Sequence, residues 1–168
     1  MAPKTETQRD RVISALQQRG MARASELLKM GVTATTVSRM QKNGQIVQLG
    51  RGLYQLPDAP LDANHAMAQA AKRAPRGIIC LTSALAYHEL TDTIPSRVWM
   101  AIGPKDWRPL VTSPAVQFVR FGAKVLDTGV KEHLIEGVPV RIYNPAKTVV
   151  DLFRYRQSAA SATRKAPA

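Results

Sequence analysis

The residues best suited to contact nucleic acid are grouped in a short segment near the N-terminus. Thr35, Thr36, Arg39 and Lys42 all fall in a predicted helix that begins after Thr33. Short hydroxyl side chains near the start of a helix can hydrogen-bond base edges in the major groove, and basic side chains can bind phosphates. The segment therefore predicts a DNA-recognition helix. The alternative is an ordinary solvated helix face.

A second basic position lies between two glycines a few residues later. Arg51 is flanked by Gly50 and Gly52, and short apolar runs precede and follow them at residues 46–49 and 53–56. Glycines between two such runs predict a β-hairpin. An arginine at its tip could bind phosphate or enter the minor groove, with Gln48 as a weaker second contact. The alternative is a basic turn residue that only aids solubility.

The remaining reactive side chains do not form a recognisable catalytic or metal-binding set. His88, Glu89 and Asp92 are close in sequence but have no fourth ligand nearby, so a structural role is predicted for them. Cys80 lies in an apolar run and is predicted to be a buried, inert thiol. Lys147 and Asp151 have the spacing of an ion pair on a helix. We expect a non-enzymatic protein without a cofactor or metal.

The net charge limits the kind of partner. The 168 residues carry a formal charge of +12 and give a pI near 10.5. Such a charge favours polyanions, mainly nucleic acid, without choosing among them. Residues 1–58 carry a net +5 and residues 59–168 a net +7, so charge alone does not locate the contact surface. One cysteine excludes an internal disulfide. No apolar run approaches the roughly 20 residues of a membrane helix, and a cytoplasmic location is expected.

The elements around the basic segment predict a winged helix-turn-helix over residues 1–58. Apolar residues at helical spacing indicate three short helices, and the glycine-flanked hairpin follows them at the position of a wing. The helices are expected at residues 5–20, 23–30 and 33–43. A segment rich in breakers at residues 57–60 marks a domain boundary.

The chain after that boundary predicts a small mixed α/β domain over residues 62–156, which makes the fold class α+β. Its expected elements are a helix at 63–72, strands at 98–102 and 116–121, a hairpin around Glu136 and Gly137, and a helix at 146–155. In that last helix the apolar residues Val149, Val150, Leu152 and Phe153 are expected to face inward. Residues 157–168 are predicted to be a flexible basic tail.

Four segments, taken together, resemble AbiEi-type antitoxins. They are residues 32–54, 80–92, 94–102 and 144–156, in the order and spacing of that family, and the resemblance extends over residues 5–156. It implies an antitoxin of a type IV toxin–antitoxin system that binds double-stranded DNA at its own promoter and represses it. It also implies that the protein counters a nucleotidyltransferase-like toxin without a stable complex. The chain departs from the family after residue 156, where an Ala/Ser-rich segment replaces further helical chain.

Two other functions remain open on the sequence. One is a winged-helix regulator whose C-terminal domain senses a ligand or mediates dimerisation, without antitoxin activity. The other is an enzyme, such as a nuclease attached to the winged helix. The acidic residues of 59–168 are scattered and do not form the Asp…Glu-x-Lys spacing of a metal-dependent nuclease. The nuclease is therefore the weakest of the three hypotheses.

Overall fold

A computed structural model describes the backbone of residues 6–163 and the side chains of residues 6–156. The described residues form helices and strands, and the strands form one three-stranded and one five-stranded sheet. The predicted α+β fold class is confirmed. The chain divides into two compact units. Unit 1 contains the residues up to 65 together with 134–138, and unit 2 contains residues 66–133 and the chain from 139 onward.

Unit 1 contains three helices and a small antiparallel sheet. The elements are α1 (Gln8–Arg19), β1 (Met21–Arg23), α2 (Ala24–Lys29), α3 (Ala34–Lys42), β2 (Val47–Gly50) and β3 (Leu53–Gln55). Strand β3 lies between β1 and β2 and is antiparallel to both. The helices and the hairpin follow the sequence prediction, whereas β1 is additional. Strand β1 has three residues, which is too short for an alternating pattern to be recognised.

Local signals explain where α1 and α3 begin. Thr7 caps α1, because its hydroxyl accepts from the backbone of Asp10 while the Asp10 carboxylate accepts from the backbone of Thr7. Thr33 caps α3 by accepting a hydrogen bond from the backbone N–H of Thr36, which explains why the helix begins directly after it. These caps fix the starts of α1 and α3.

The core of unit 1 is made by the apolar faces of these helices and the sheet. The apolar side chains at its centre each have at most 4% of their surface exposed: Val12, Leu16, Leu27, Val37, Met40, Ile46 and Leu53. On α3, Val37 and Met40 point into this core, so the opposite side of that helix is left for solvent or a partner.

Among the described residues, the elements that follow β3 are four helices and five strands, and the strands form one sheet with both parallel and antiparallel pairs. They are α4 (His65–Arg73), β4 (Ile78–Ile79), α5 (Leu81–Tyr87), β5 (Val98–Ile102), β6 (Val116–Arg120), α6 (Ala123–Leu126), β7 (Val130–Ile135), β8 (Val138–Tyr143) and α7 (Pro145–Thr163). The strand order is β6-β5-β4-β8-β7. Strand β5 is buried throughout and runs parallel to β6 and antiparallel to β4. Its continuous apolar sequence reflects burial on both faces.

The buried face of α7 differs from the prediction. Val149, Val150 and Phe153 are 41%, 64% and 73% exposed, so the expectation that they face inward is wrong. Thr148 and Asp151 are buried instead, and Leu152 is partly buried against the core. The sequence pattern favoured the most apolar residues, but the carboxylate of Asp151 can be buried because an ion pair neutralises it.

Helix α7 also extends beyond its predicted end. Its backbone remains helical to Thr163, with one non-helical residue at Tyr155. The flexible tail predicted from residue 157 overlaps this helix as far as Thr163. Alanine has the highest helix propensity, and the Ala/Ser-rich sequence is compatible with continued helix. Residues 164–168, the rest of the predicted tail, lie outside the described residues.

Candidate nucleic-acid interface

Helix α3 presents one exposed polar stripe on the side opposite the core. Thr35, Ser38, Arg39 and Lys42 are all exposed, and their i, i+3, i+4, i+7 spacing places them on the same face. The stripe runs from a hydroxyl near the start of the helix to a lysine in its last turn. Its composition is suited to base edges at one end and phosphates at the other.

Thr36 departs from the prediction that it belongs to this surface. It is 7% exposed, and its hydroxyl donates to the side-chain oxygen of Gln8 at 2.8 Å. A hydroxyl that is buried and engaged in this way is not available to a base edge. Ser38, which the sequence analysis does not select, lies in the stripe instead. Its spacing of three residues from Thr35 is the signal that could have identified it.

The side chain of Gln8 fixes the start of α3. Its oxygen accepts from the backbone N–H of Thr33 at 3.0 Å and from the Thr33 hydroxyl at 3.2 Å, in addition to the Thr36 hydroxyl. Farther along α1, the Arg11 guanidinium donates to the backbone carbonyl of Met30 at 2.8 Å, just beyond the end of α2. Helix α1 is therefore the support that orients α3.

The wing is an antiparallel hairpin with an irregular tip. Strands β2 and β3 pair with a register shift between Gln48 and Gly50, and Arg51 is exposed in the turn between them. Gly52 has a φ of +67°, a conformation that side chains disfavour. Gln41 on α3 donates from Nε2 to Oε1 of Gln48 at 3.0 Å, which connects the helix to the wing. Gln48 is thus engaged within the protein.

The basic groups of the stripe and wing are not neutralised by the protein. Among residues 6–156, the side chains of Arg39, Lys42 and Arg51 form no ion pair or hydrogen bond. Their charges face solvent and can attract an anion without first breaking an internal contact. We define the exposed side chains of Thr35, Ser38, Arg39 and Lys42 together with Arg51 as the basic surface.

Part of unit 1 matches a known protein family. Residues 10–57, which include α3 and the wing, match the model of a family described as "Transcriptional regulator, AbiEi antitoxin". Within residues 10–57, this match confirms the resemblance to AbiEi-type regulators. No curated protein matches the sequence.

A solved structure supports the fold beyond the AbiEi-like region. The crystal structure of the Rv2827c protein from Mycobacterium tuberculosis superposes with a TM-score of 0.58 at 16% identity, over 89% of this chain. The chain spans 61% of the length of that structure. At this identity the likeness concerns the fold alone.

Three side chains outside residues 10–57, those of Lys147, Asp151 and His88, make contacts within the protein. Lys147 Nζ lies 2.6 Å from both carboxylate oxygens of Asp151, which confirms the predicted ion pair. The same ammonium lies within 5.0 Å of the ring centres of Phe121 and Tyr143. His88 donates from Nε2 to the backbone carbonyl of Tyr143 at 2.8 Å, in accord with its predicted structural role.

Cys80 is the buried thiol that the sequence predicts. It is fully buried, and burial followed by the negative charge of Asp151 raises the pKa of the thiol well above its usual value. A thiol that stays protonated is a poor nucleophile. Within the described part of the chain, no three His, Cys, Asp or Glu side chains are placed to hold a metal ion. Over the same residues, none of the helices has both the length and the apolar character needed to span a membrane.

Proposed function

We propose that this protein is a DNA-binding transcriptional regulator that represses its own promoter. The basic surface supports the proposal most directly, because it combines exposed hydroxyls and unpaired basic side chains on the recognition helix and wing. It lies within residues 10–57, the region that matches AbiEi antitoxin regulators. We assign residues 1–58 as the DNA-binding domain and residues 62–156 as the antitoxin-like domain.

In this proposal α3 enters the major groove and the wing contacts the adjacent backbone. Thr35 and Ser38 meet base edges, while Lys42 and Arg51 bind phosphates. Arg39 lies between them in the stripe and contributes to both. The polar contacts of Gln8 and the bond between Gln41 and Gln48 hold α3 and the wing in one arrangement, so that little ordering is needed on binding.

A gel shift tests this proposal directly. The protein is titrated onto a duplex from its own upstream region and onto a scrambled duplex of the same length and composition. We expect tighter binding to the upstream duplex, because base contacts add to the phosphate contacts that any duplex offers. Equal binding to the two duplexes at physiological salt would reject a specific operator function.

We further propose an antitoxin function in the cytoplasm, directed against a nucleotidyltransferase-like toxin without a stable complex. The match to AbiEi antitoxins supports it, and unit 2 would carry it. Cells expressing the toxin provide the test, with full-length protein and the double variant Arg39→Ala/Lys42→Ala at matched expression. We expect the double variant to lose repression but retain rescue. Loss of rescue in the double variant would show that antitoxin activity depends on DNA binding. Rescue by residues 1–61 alone would show that the second domain is not needed for antitoxin activity.

A ligand-sensing regulator is a second candidate, favoured by one cavity. Unit 1 contains a cavity of about 560 Å³. Its lining includes the apolar side chains of Leu16, Leu56 and Leu61 and the carboxylates of Asp58 and Asp62. Its size suits a small molecule with an apolar body and a cationic group. Thermal shifts with such amines, followed by operator binding in their presence, test this function. A ligand that stabilises the protein and weakens operator binding would support it.

A further inference from the structure

The loop between β5 and β6 is held firmly by polar contacts. The Arg120 guanidinium donates to the backbone carbonyls of Gly103, Pro104 and Asp106 at 2.8, 2.9 and 3.0 Å. The Asp106 carboxylate accepts from the backbone N–H of Gly103 at 2.8 Å and pairs with Arg76 at 2.8 Å. These contacts from Arg120 and Arg76 anchor the first part of the loop, residues 103–106.

This anchored loop nevertheless displays a large aromatic side chain to solvent. Trp107 directly follows Asp106 and is 86% exposed, whereas Trp99, the other tryptophan, is 5% exposed in the sheet. Trp107 therefore contributes little to the core. An exposed tryptophan on a structured loop indicates a contact surface, since burying its indole on a partner is strongly favourable.

The surroundings of Trp107 are basic. Lys105 and Arg108 flank it and are exposed, and the Arg108 guanidinium lies 5.8 Å from the ring centre of Phe118. Unit 2, which contains this loop, also has a positive net charge. Unit 2 contains fifteen Lys or Arg and six Asp or Glu, a net charge of +9 out of the +12 of the chain. Three quarters of the net charge of the chain thus lies in unit 2.

We propose that Trp107, Lys105 and Arg108 form a binding site for single-stranded nucleic acid. An unpaired base stacks on the indole, and the two basic side chains bind the adjoining phosphates. Bases within a duplex already stack on their neighbours, so a single protruding indole favours unpaired strands. The site is separate from the basic surface on α3 and the wing, and the proposal does not depend on operator binding.

Tryptophan fluorescence of the full-length protein tests this site. Unstructured oligonucleotides, a 15-nucleotide oligo-U RNA and the corresponding oligo-dT, are titrated at low salt, and anisotropy of end-labelled strands gives the affinity. Because Trp99 is buried, stacking should quench mainly Trp107. We expect Trp107→Ala to abolish the quenching and weaken binding by about 5- to 100-fold. Trp107→Phe should retain most of the affinity, and Lys105→Ala should reduce the dependence of log affinity on log salt by about 0.7.

Two controls separate this site from its alternatives. Leu110 is 91% exposed on the same loop, and Leu110→Ala should leave oligonucleotide binding unchanged. Arg39→Ala/Lys42→Ala should impair the operator duplex while leaving single-strand affinity intact. Absence of quenching, or an equal loss of binding in Leu110→Ala, would overturn the proposal. The second result would show that the apolar surface of the loop, and not stacking on the indole, carries the binding.

Discussion

The hydroxyl of Thr36 donates a hydrogen bond to the side-chain oxygen of Gln8 over 2.8 Å, across 28 residues of sequence. This bond joins the first turn of α1 to the first turn of α3. It explains why two adjacent threonines have different roles. Thr35 lies on the exposed stripe, whereas Thr36 holds the helix that carries the stripe in place.

Replacement of each threonine by valine separates these two roles. Thr36→Val removes the hydroxyl at nearly constant volume and should lower the free energy of unfolding by about 1 kcal/mol, because the buried bond to Gln8 is lost. Thr35→Val should change stability by less than about 0.5 kcal/mol and weaken mainly operator binding. Urea unfolding and anisotropy on operator and scrambled duplexes measure both. Equal stability of the two variants would contradict the structural role of Thr36.

The same support can be tested from α1. Gln8→Ala removes the acceptor of three hydrogen bonds at the start of α3 and should lower both stability and operator affinity. Gln17→Ala, an exposed position on the same helix, is the matched control. We expect a thermal melt to show a clear decrease for Gln8→Ala only. A melting temperature like that of the control would show that Gln8 does not support α3.

The ion pair of α7 should be strongly coupled. Lys147 and Asp151 have side chains only 12% and 5% exposed, so removing one partner leaves the other charge buried. Asp151→Leu and Lys147→Met should each lower the free energy of unfolding by about 3–5 kcal/mol. The double variant Lys147→Met/Asp151→Leu should lose less than the two single changes combined. Additive losses in chemical denaturation would mean that the pair is not coupled.

Two glycines with nearly the same positive φ provide a steric comparison. Gly20 and Gly44 have φ of +69° and +68°, so alanine is strained at both. A Cβ at Gly20 would lie 1.6 Å from the backbone oxygen of Glu136, whereas one at Gly44 meets nothing within 4 Å. Gly44→Ala should cost about 1–2 kcal/mol and Gly20→Ala considerably more. Similar unfolding midpoints would show that the turn at Glu136 does not pack on Gly20.

Histidine 133 should make stability depend on pH. Burial, followed by the charge of His88, lowers the pKa of His133 below its usual value, and its buried Nε2 has no hydrogen-bond partner among the described residues. As pH falls below about 6.5, the unfolded chain takes up a proton that the folded protein resists, so stability decreases. Between pH 7.5 and 5.5 the wild type should lose more stability than His133→Phe. An identical pH dependence in urea unfolding would contradict this assignment.

Local signals made much of unit 1 predictable from the sequence. Thr33 and Gly20 mark helix ends, and the spacing of Val12, Leu16, Val37 and Met40 identifies the buried faces. The exposed positions of Arg39, Lys42 and Arg51 follow from the same periodicity and from the hairpin. The Lys147–Asp151 pair was predictable because its spacing is set by the helix itself.

Features that depend on distant residues were not predictable in this way. The burial of Thr36 requires Gln8, which is 28 residues away in sequence. Strand β1 exists because β3 pairs with it, as its own three residues carry no periodic signal. The orientation of α7 is decided by Asp151 and its partner rather than by the most apolar side chains, so the hydrophobic pattern indicated the wrong face.

A salt titration of DNA binding tests the central claim most directly. Anisotropy is measured on the upstream duplex and on a scrambled duplex for wild type, Thr35→Ala, Ser38→Ala, Arg39→Ala, Lys42→Ala and Arg51→Ala. Arg19→Ala is the control, because it also removes one basic side chain but lies at the end of α1 opposite to Gln8. We expect Lys42→Ala and Arg51→Ala to weaken both duplexes equally and reduce the salt slope by about one. Thr35→Ala and Ser38→Ala should mainly affect the upstream duplex, within about 1–3 kcal/mol, and Arg39→Ala should affect both. Wild-type affinity and salt slope in all five variants would show that the basic surface does not meet DNA.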